Sequence, residues 1–227
     1  MNAESSWESY SLVVFSPSNS GPRGQNNDIE RVGAAMRVDV GDRPIEVSVP
    51  LHRAVDLTGR IEIESNSGAN QQFALDQIRI QLTSDNVLAG GFPDAQVSAD
   101  GTFVLHGVIP GAWRILAQAG KGFLKSAWLG NENVTNAPMD LSSGTAAPLR
   151  LVVSTNTATV RGTAPPGMAV FTERPNDYQH LQRVTQVDAG GQFTLENVAP
   201  GKQRVVVGDP ASPMPEEGGQ EITVGEG

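Results

Sequence analysis

The feature that most constrains this sequence is a motif that occurs twice. ADGTFVLHGVIPG at residues 99–111 returns as AGGQFTLENVAPG at residues 189–201, so the two copies lie 90 residues apart. A spacing of this length is that of a whole small domain, whereas solenoid repeats are much shorter. The sequence therefore predicts tandem copies of one module.

Each copy of the motif combines two turn signals with one strand signal. The Asp-Gly or Gly-Gly pair favours the positive φ of a tight hairpin, and the Phe-x-Leu that follows alternates as a half-buried strand does. The later Val-x-Pro-Gly is typical of a type II turn, after which a new strand begins. We expect Phe103 and Phe193 to lie in the core of their modules.

Other alternating segments surround the motif in both copies. A first strand that contains a glycine is predicted at residues 56–63 and again at 158–163, and further strands at 77–82 and 168–172. A glycine inside a strand marks a bulge or a close approach of backbone. Short strands separated by turn signals at this spacing predict a β-sandwich.

The flanking sequence resembles parts of the same module. Residues 10–15 are similar to the strand after Pro-Gly, and residues 45–49 (IEVSV) are similar to the closing segment at 149–153 (LRLVV). We therefore expect the front half of a first module to be missing, and we leave open whether neighbouring chains complete the ends.

These similarities divide the chain into three parts. Residues 1–52 are predicted to form the C-terminal half of one module, and residues 53–155 a full module. Residues 156–227 are predicted to form a second module, and whether it lacks its last strand stays an open question.

Composition supports this architecture and excludes several functions. The chain has 25 Gly and 15 Pro among 227 residues, which favours turns and short strands. Its formal net charge of -9 would repel phosphate backbones and anionic lipid headgroups, so nucleic acid is not an expected partner. The absence of cysteine excludes disulfides and thiolate chemistry. No apolar run is long enough for membrane insertion of this segment.

At this point the residues resemble a known family, the carboxypeptidase regulatory-like modules, which are related to collagen-adhesin B-type repeats and to the transthyretin-like domain. The resemblance depends on the first-strand glycine, the Asp-Gly-x-Phe-x-Leu segment and the Val-x-Pro-Gly turn, and it covers about residues 55–227. It implies all-β, tandem Greek-key sandwiches of the prealbumin-like or Ig-like type. Arrays with this spacing look like those of exported acidobacterial proteins.

The family resemblance implies a spacer, display or adhesion segment and no catalysis. We expect an extracytoplasmic location, with any signal peptide outside this sequence, and an unknown protein or polysaccharide partner at the cell surface. Two alternatives stay open: a carbohydrate-binding accessory module, and a regulatory domain attached to a peptidase or an outer-membrane transporter.

The sequence offers no convincing catalytic, cofactor or metal site. None of the three histidines, His52, His106 and His180, begins a His-x-x-Glu zinc motif, and no nucleophile elbow or phosphate-binding loop is present. Asp100 together with Asp94 could bind calcium, but an aspartate before glycine is more typical of a turn. We predict no enzyme activity, no metal and no cofactor.

Binding through an aromatic platform is the remaining candidate site. Trp128, followed by Asn131, Glu132 and Asn133, has the composition of a carbohydrate site, and Tyr178 is a second candidate. Aromatic rings also bury large apolar areas in sandwich cores and at module junctions, which is the interpretation we favour for both rings. Trp113, directly after Pro-Gly, is expected in the core.

Overall fold

The computed structural model describes residues 8–15, 32–65, 74–84, 92–143, 147–174, 183–211 and 219–225. In these ranges the regular structure is β-strand, apart from a single 3-10 turn at Leu75–Gln77. The protein is therefore built of all-β sandwich modules, as the sequence predicted. No helix in the described ranges is long and apolar enough to cross a membrane.

The N-terminal part forms a small antiparallel sheet in the order β1-β2-β3. Its strands are β1 (Glu8–Phe15), β2 (Val32–Val40) and β3 (His52–Arg53). The strand predicted at residues 10–15 is confirmed. The closing strand predicted at residues 45–49 is wrong, because these residues belong to no strand and Ile45 and Val47 are 44% and 43% exposed. Alternation produces a strand only where a sheet edge is available to pair with it.

The middle of the chain forms two facing sheets with one core between them. Its strands are β4 (Val55–Glu64), β5 (Arg79–Thr83), β6 (Asp94–Gln96), β7 (Thr102–Val108), β8 (Ala112–Gln118), β9 (Phe123–Leu129), β10 (Glu132–Asn133), β11 (Met139–Asp140) and β12 (Leu149–Ser154). One sheet has the order β10-β9-β12-β4-β7 and the other β11-β8-β5-β6. The pairing of β12 with β4 is parallel, and the other pairs are antiparallel.

The C-terminal part repeats this plan with fewer strands. Its strands are β13 (Ala158–Thr163), β14 (Ala169–Glu173), β15 (Arg183–Gln186), β16 (Gln192–Val198), β17 (Gly201–Gly208) and β18 (Gln220–Val224). The sheet β15-β14-β17-β18 matches β6-β5-β8-β11, whereas its facing sheet contains only β13 and β16 among the described residues. Among the residues that the structure describes, the second sandwich thus has no strand in the places that β12 and β9 occupy in the first.

The turns of the repeated motif connect different sheets, which corrects the prediction of simple hairpins. Gly101 and Gly191 have φ of 84° and 77°, so the predicted positive φ is confirmed. However, β6 and β7 belong to opposite sheets, as do β15 and β16. Ser98 N–H donates to the carbonyl of Thr102 at 2.8 Å, after which the two arms separate. A local turn signal does not encode which sheet each arm will join.

The first-strand glycines allow a close approach of aromatic rings. Gly59 pairs across the sheet with Phe103, and Gly162 with Phe193. A Cβ atom at either glycine would overlap the facing ring. Phe103 is buried as predicted, whereas Phe193 is only half-buried and packs against the edge of its cluster.

A second device recurs at the start of β8 and β17. Trp113 is buried as expected, and its Nε1–H donates to the carbonyl of Ile109 at 2.7 Å. Gln203, at the same position in the second copy, donates from Nε2 to the carbonyl of Ala199 at 2.8 Å. Both side chains therefore connect the Val-x-Pro-Gly turn to the strand that follows it.

Candidate functional site

Trp128 lies on the outward face of the five-stranded sheet. Along β9, Leu124 and Ala127 are buried in the core, and Trp128, which follows Ala127, is half-buried. Arg150 is its partner on β12, with the guanidinium carbon 5.6 Å from the centre of the indole ring. One face of the ring therefore carries a cation, and Glu62 lies 3.8 Å from the same guanidinium.

The polar neighbours predicted for Trp128 lie in the turn after β9 and on β10. Asn131 and Glu132 are exposed, and Asn133 is the cross-strand partner of Trp128. Asn133 Oδ1 accepts hydrogen bonds from the backbone N–H of Thr135 at 3.0 Å and from its hydroxyl at 2.7 Å. The amide of Asn133 thus stabilises its own turn. Tyr178 lies outside the described residues.

The acidic residues of the turns cap backbone. Asp100 Oδ1 accepts from the backbone N–H of Thr102 at 3.0 Å and from its hydroxyl at 2.7 Å, and these bonds lower the pKa of Asp100. Asp94 lies 3.8 Å from Arg79. In the part of the chain that the structure describes, no group of three or more metal-binding side chains occurs.

The second motif copy keeps the cap although it lacks the acid before glycine. Asp188 Oδ1 accepts from the N–H of Gly190 at 2.9 Å and from that of Gln192 at 2.8 Å. The capping carboxylate of the second copy therefore lies two positions earlier in the motif than Asp100 does in the first. Comparison of the motif copies one residue at a time did not reveal this, but the Asp188-Ala-Gly-Gly sequence carries the signal.

His106 and Asp56 form a pair across β7 and β4. His106 Nδ1 lies 2.8 Å from Asp56 Oδ2, while Asp56 Oδ1 accepts from the N–H of Gly107 at 3.0 Å. The pKa of Asp56 is lowered, chiefly by the Gly107 bond and then by His106. His52 is exposed on β3, and His180 lies outside the described residues. The pair of Asp56 and His106 stabilises a bulge in the sheet.

The second module carries a groove that no sequence motif predicted. It has a volume of about 650 Å³ and lies between the sheet edges of β13 and β18. Its apolar lining includes Val160, Phe193, Val205 and Ile222, which are half-buried. The signal in the sequence is the set of core-type residues at these positions, which the described strands of the second module leave partly uncovered.

Comparisons with known proteins gave only weak similarities. No protein-family model and no curated protein matches the chain. A Streptococcal ancillary pilin superposes with a TM-score of 0.31 at 11% identity, covering 89% of this chain and 70% of that chain. The Bacillus anthracis TIE protein gives a TM-score of 0.28 at 11% identity, covering 89% and 37%. At these values nothing about the activity of this chain follows from either protein.

Proposed function

We propose that this chain is a non-catalytic spacer and display segment of an exported bacterial protein, built from modules of the carboxypeptidase regulatory-like type. The observation that supports this role is the joint between the two sandwiches. β12 ends at Ser154 and β13 begins at Ala158, so the connection is very short. A short connection that is held by tertiary contacts keeps two modules at a fixed separation.

The backbone of the joint is tied to the first module. Thr155 N–H donates to the carbonyl of Glu64 at 2.9 Å, and Thr157 N–H donates to that of Thr155 at 2.9 Å. Asn156 N–H donates to the hydroxyl of Ser154 at 3.2 Å, and both residues are buried. Burial and hydrogen bonds of this kind oppose free rotation between the modules.

Arg183 links the two modules directly. Its Nη2 donates to the carbonyl of Gly122 in the first module at 2.8 Å, and its Nε donates to that of Asn197 in the second at 2.7 Å. Burial lowers the pKa of Arg183 from its usual value, but an arginine stays charged at neutral pH. Arg174 adds a contact with its guanidinium carbon 5.3 Å from the centre of the Phe123 ring.

Distance measurements test the spacer role. Because the chain has no cysteine, Glu132→Cys and Glu221→Cys provide two unique sites for spin labels. Double electron–electron resonance on labelled chains diluted in unlabelled chains should give one narrow distance distribution. Arg183→Ala should broaden it, and Arg150→Ala, a matched loss of arginine away from the joint, should not. A broad distribution in the chain without these substitutions would contradict a fixed spacing.

Carbohydrate recognition is a second candidate, which the outward position of Trp128 favours. Asn131 and Glu132 follow Trp128 closely in the sequence and are exposed, as the polar groups of an aromatic platform would be. The cation over one face and the engaged amide of Asn133 argue for a packing role instead. A glycan-array screen decides: binding lost in Trp128→Ala but kept in Tyr178→Ala would establish this platform, and no binding would exclude it for the glycans screened.

A further inference from the structure

The groove of the second module exposes positions that the first module buries. Val160, Phe193 and Val205 are half-buried along the groove. Their counterparts are Leu57, Phe103 and Ile115, which are 1%, 3% and 3% exposed.

The first module shows what covers these positions. Its three counterpart residues share one core cluster with inward side chains of β9 and β12, including Leu149, Leu151 and Val153. Among the described residues of the second module, no strand stands in the place of β12. Along the described residues, the groove therefore has the shape and chemistry of an uncovered strand position, whose inward residues should be aliphatic.

The edge of β13 can accept such a strand. Ala164 N–H donates toward β16, to the carbonyl of Gly191 at 3.0 Å. Because N–H directions alternate along a strand, the N–H groups of Arg161 and Thr163 point to the opposite, open edge. Pro165 and Pro166 have no N–H, so the available ladder ends at Thr163 and suits a short strand.

A matching donor lies near the other end of the same chain. Residues 45–49 carry aliphatic side chains at alternate positions, in the pattern of residues 149–153 on β12. They belong to no strand, and the side chains of Ile45 and Val47 are exposed. Glu46 lies between these two residues and would face outward on an added strand. Exposed Arg161 lies on the same face of β13, so the opposite charges of Glu46 and Arg161 would attract each other.

We propose that residues 45–49 of one copy of this chain add as an edge strand to β13 of a second copy. Ile45 and Val47 would then enter the groove over Phe193. Donor and acceptor are different surfaces, so the contact is heterologous and joins chains head to tail. This assembly does not depend on the spacer role, because it uses neither the joint between the modules nor Trp128.

Sedimentation velocity of the purified chain at increasing concentration tests the proposal. The unmodified chain should form species that grow with concentration. Val47→Asp places a charge on the inward face of the donor, and Arg161→Pro removes one N–H from the open edge while the ladder with β16 stays intact. Each variant alone should be monomeric. An equimolar mixture should give a one-to-one dimer and nothing larger, because only one donor and one acceptor remain.

Matched controls separate strand addition from general loss of structure. Ser48→Asp adds the same charge on the outward face of the donor, and Arg161→Ala keeps the backbone N–H; both should associate like the unmodified chain. If Arg161→Pro loses its β-sheet circular dichroism, the pair Val47→Asp and Ser48→Asp decides alone. A chain that stays monomeric at every concentration, or equal association of Val47→Asp and Ser48→Asp, overturns the proposal. The first result would leave the groove to another segment or partner.

Discussion

The carboxylate of Asp56 stabilises the bulge between β4 and β7. The register shifts between Val55 and Leu57, and Gly107 opposite them has φ of 64°. Asp56 accepts a hydrogen bond from the N–H of Gly107, which the register shift would otherwise leave without a partner in the β-ladder. Because this bond favours the ionised carboxylate, the pKa of Asp56 in the folded protein is lower than its value of 3.8 in model compounds.

We predict that Asp56→Ala lowers the free energy of unfolding by about 0.5–1 kcal/mol at neutral pH. This is less than a buried charged hydrogen bond contributes, because the site is exposed. Since the folded pKa is depressed, this stabilisation is complete above the unfolded pKa of 3.8 and is lost as the pH falls through the lower folded pKa. Urea unfolding of both proteins across this range measures the difference. His106→Ala should lower the free energy of unfolding by less than Asp56→Ala does, because the bond to the Gly107 N–H lowers the pKa of Asp56 more than His106 does. If the difference in stability between the unmodified chain and Asp56→Ala does not change with pH, the carboxylate does not have this role.

At the scale of elements, alternation and turn signals predicted most of the strands. β4, β5, β13 and β14 lie where the periodicity placed them, because each has an apolar face that a core covers. The same alternation failed at residues 45–49, which pair with none of the strands that the structure describes. Local pattern determines which face of a segment is apolar, but pairing depends on distant residues. For the same reason the motif predicted the turns and not the sheets that they connect.

Trp128, the candidate binding residue, shows the same dependence on distant residues. Its position on an outward face follows from the alternation of β9, but the guanidinium over its ring comes from β12. The contact could be found only once the register of the two strands was known. The groove was likewise invisible to local patterns, because it results from strands that the second sandwich lacks among the described residues.

The two strand glycines give a matched prediction about packing. A methyl group at Gly59 meets Phe103 inside a closed core, so the ring has nowhere to move. The same group at Gly162 meets Phe193, which borders the open groove. We expect Gly59→Ala to cost about 1–3 kcal/mol, as overpacking typically does, and Gly162→Ala to cost clearly less. Urea midpoints of the two variants make the comparison, and equal costs would show that the groove is filled.

At the scale of the whole molecule, two separate cores predict two unfolding steps. The cluster of the first module includes inward residues from both of its sheets, whereas that of the second is smaller among the described residues and borders the groove. Less buried apolar surface gives less stability, so the second module should unfold first. The joint at Arg183 ties the modules together without merging their cores.

The distribution of tryptophan makes these two steps visible. Trp113 and Trp128 lie in the first module, and residues 156–227 contain no tryptophan. In a Val47→Asp background, which excludes association, the β-sheet circular dichroism should begin to fall at lower urea than the tryptophan fluorescence changes. Leu151→Ala, at a fully buried site, should move the fluorescence transition by about 2–4 kcal/mol. Val170→Ala, also fully buried, should move only the earlier transition. If the circular dichroism and fluorescence transitions coincide and both variants shift them together, the modules unfold as one unit. The joint would then couple the two modules more strongly than its few hydrogen bonds explain.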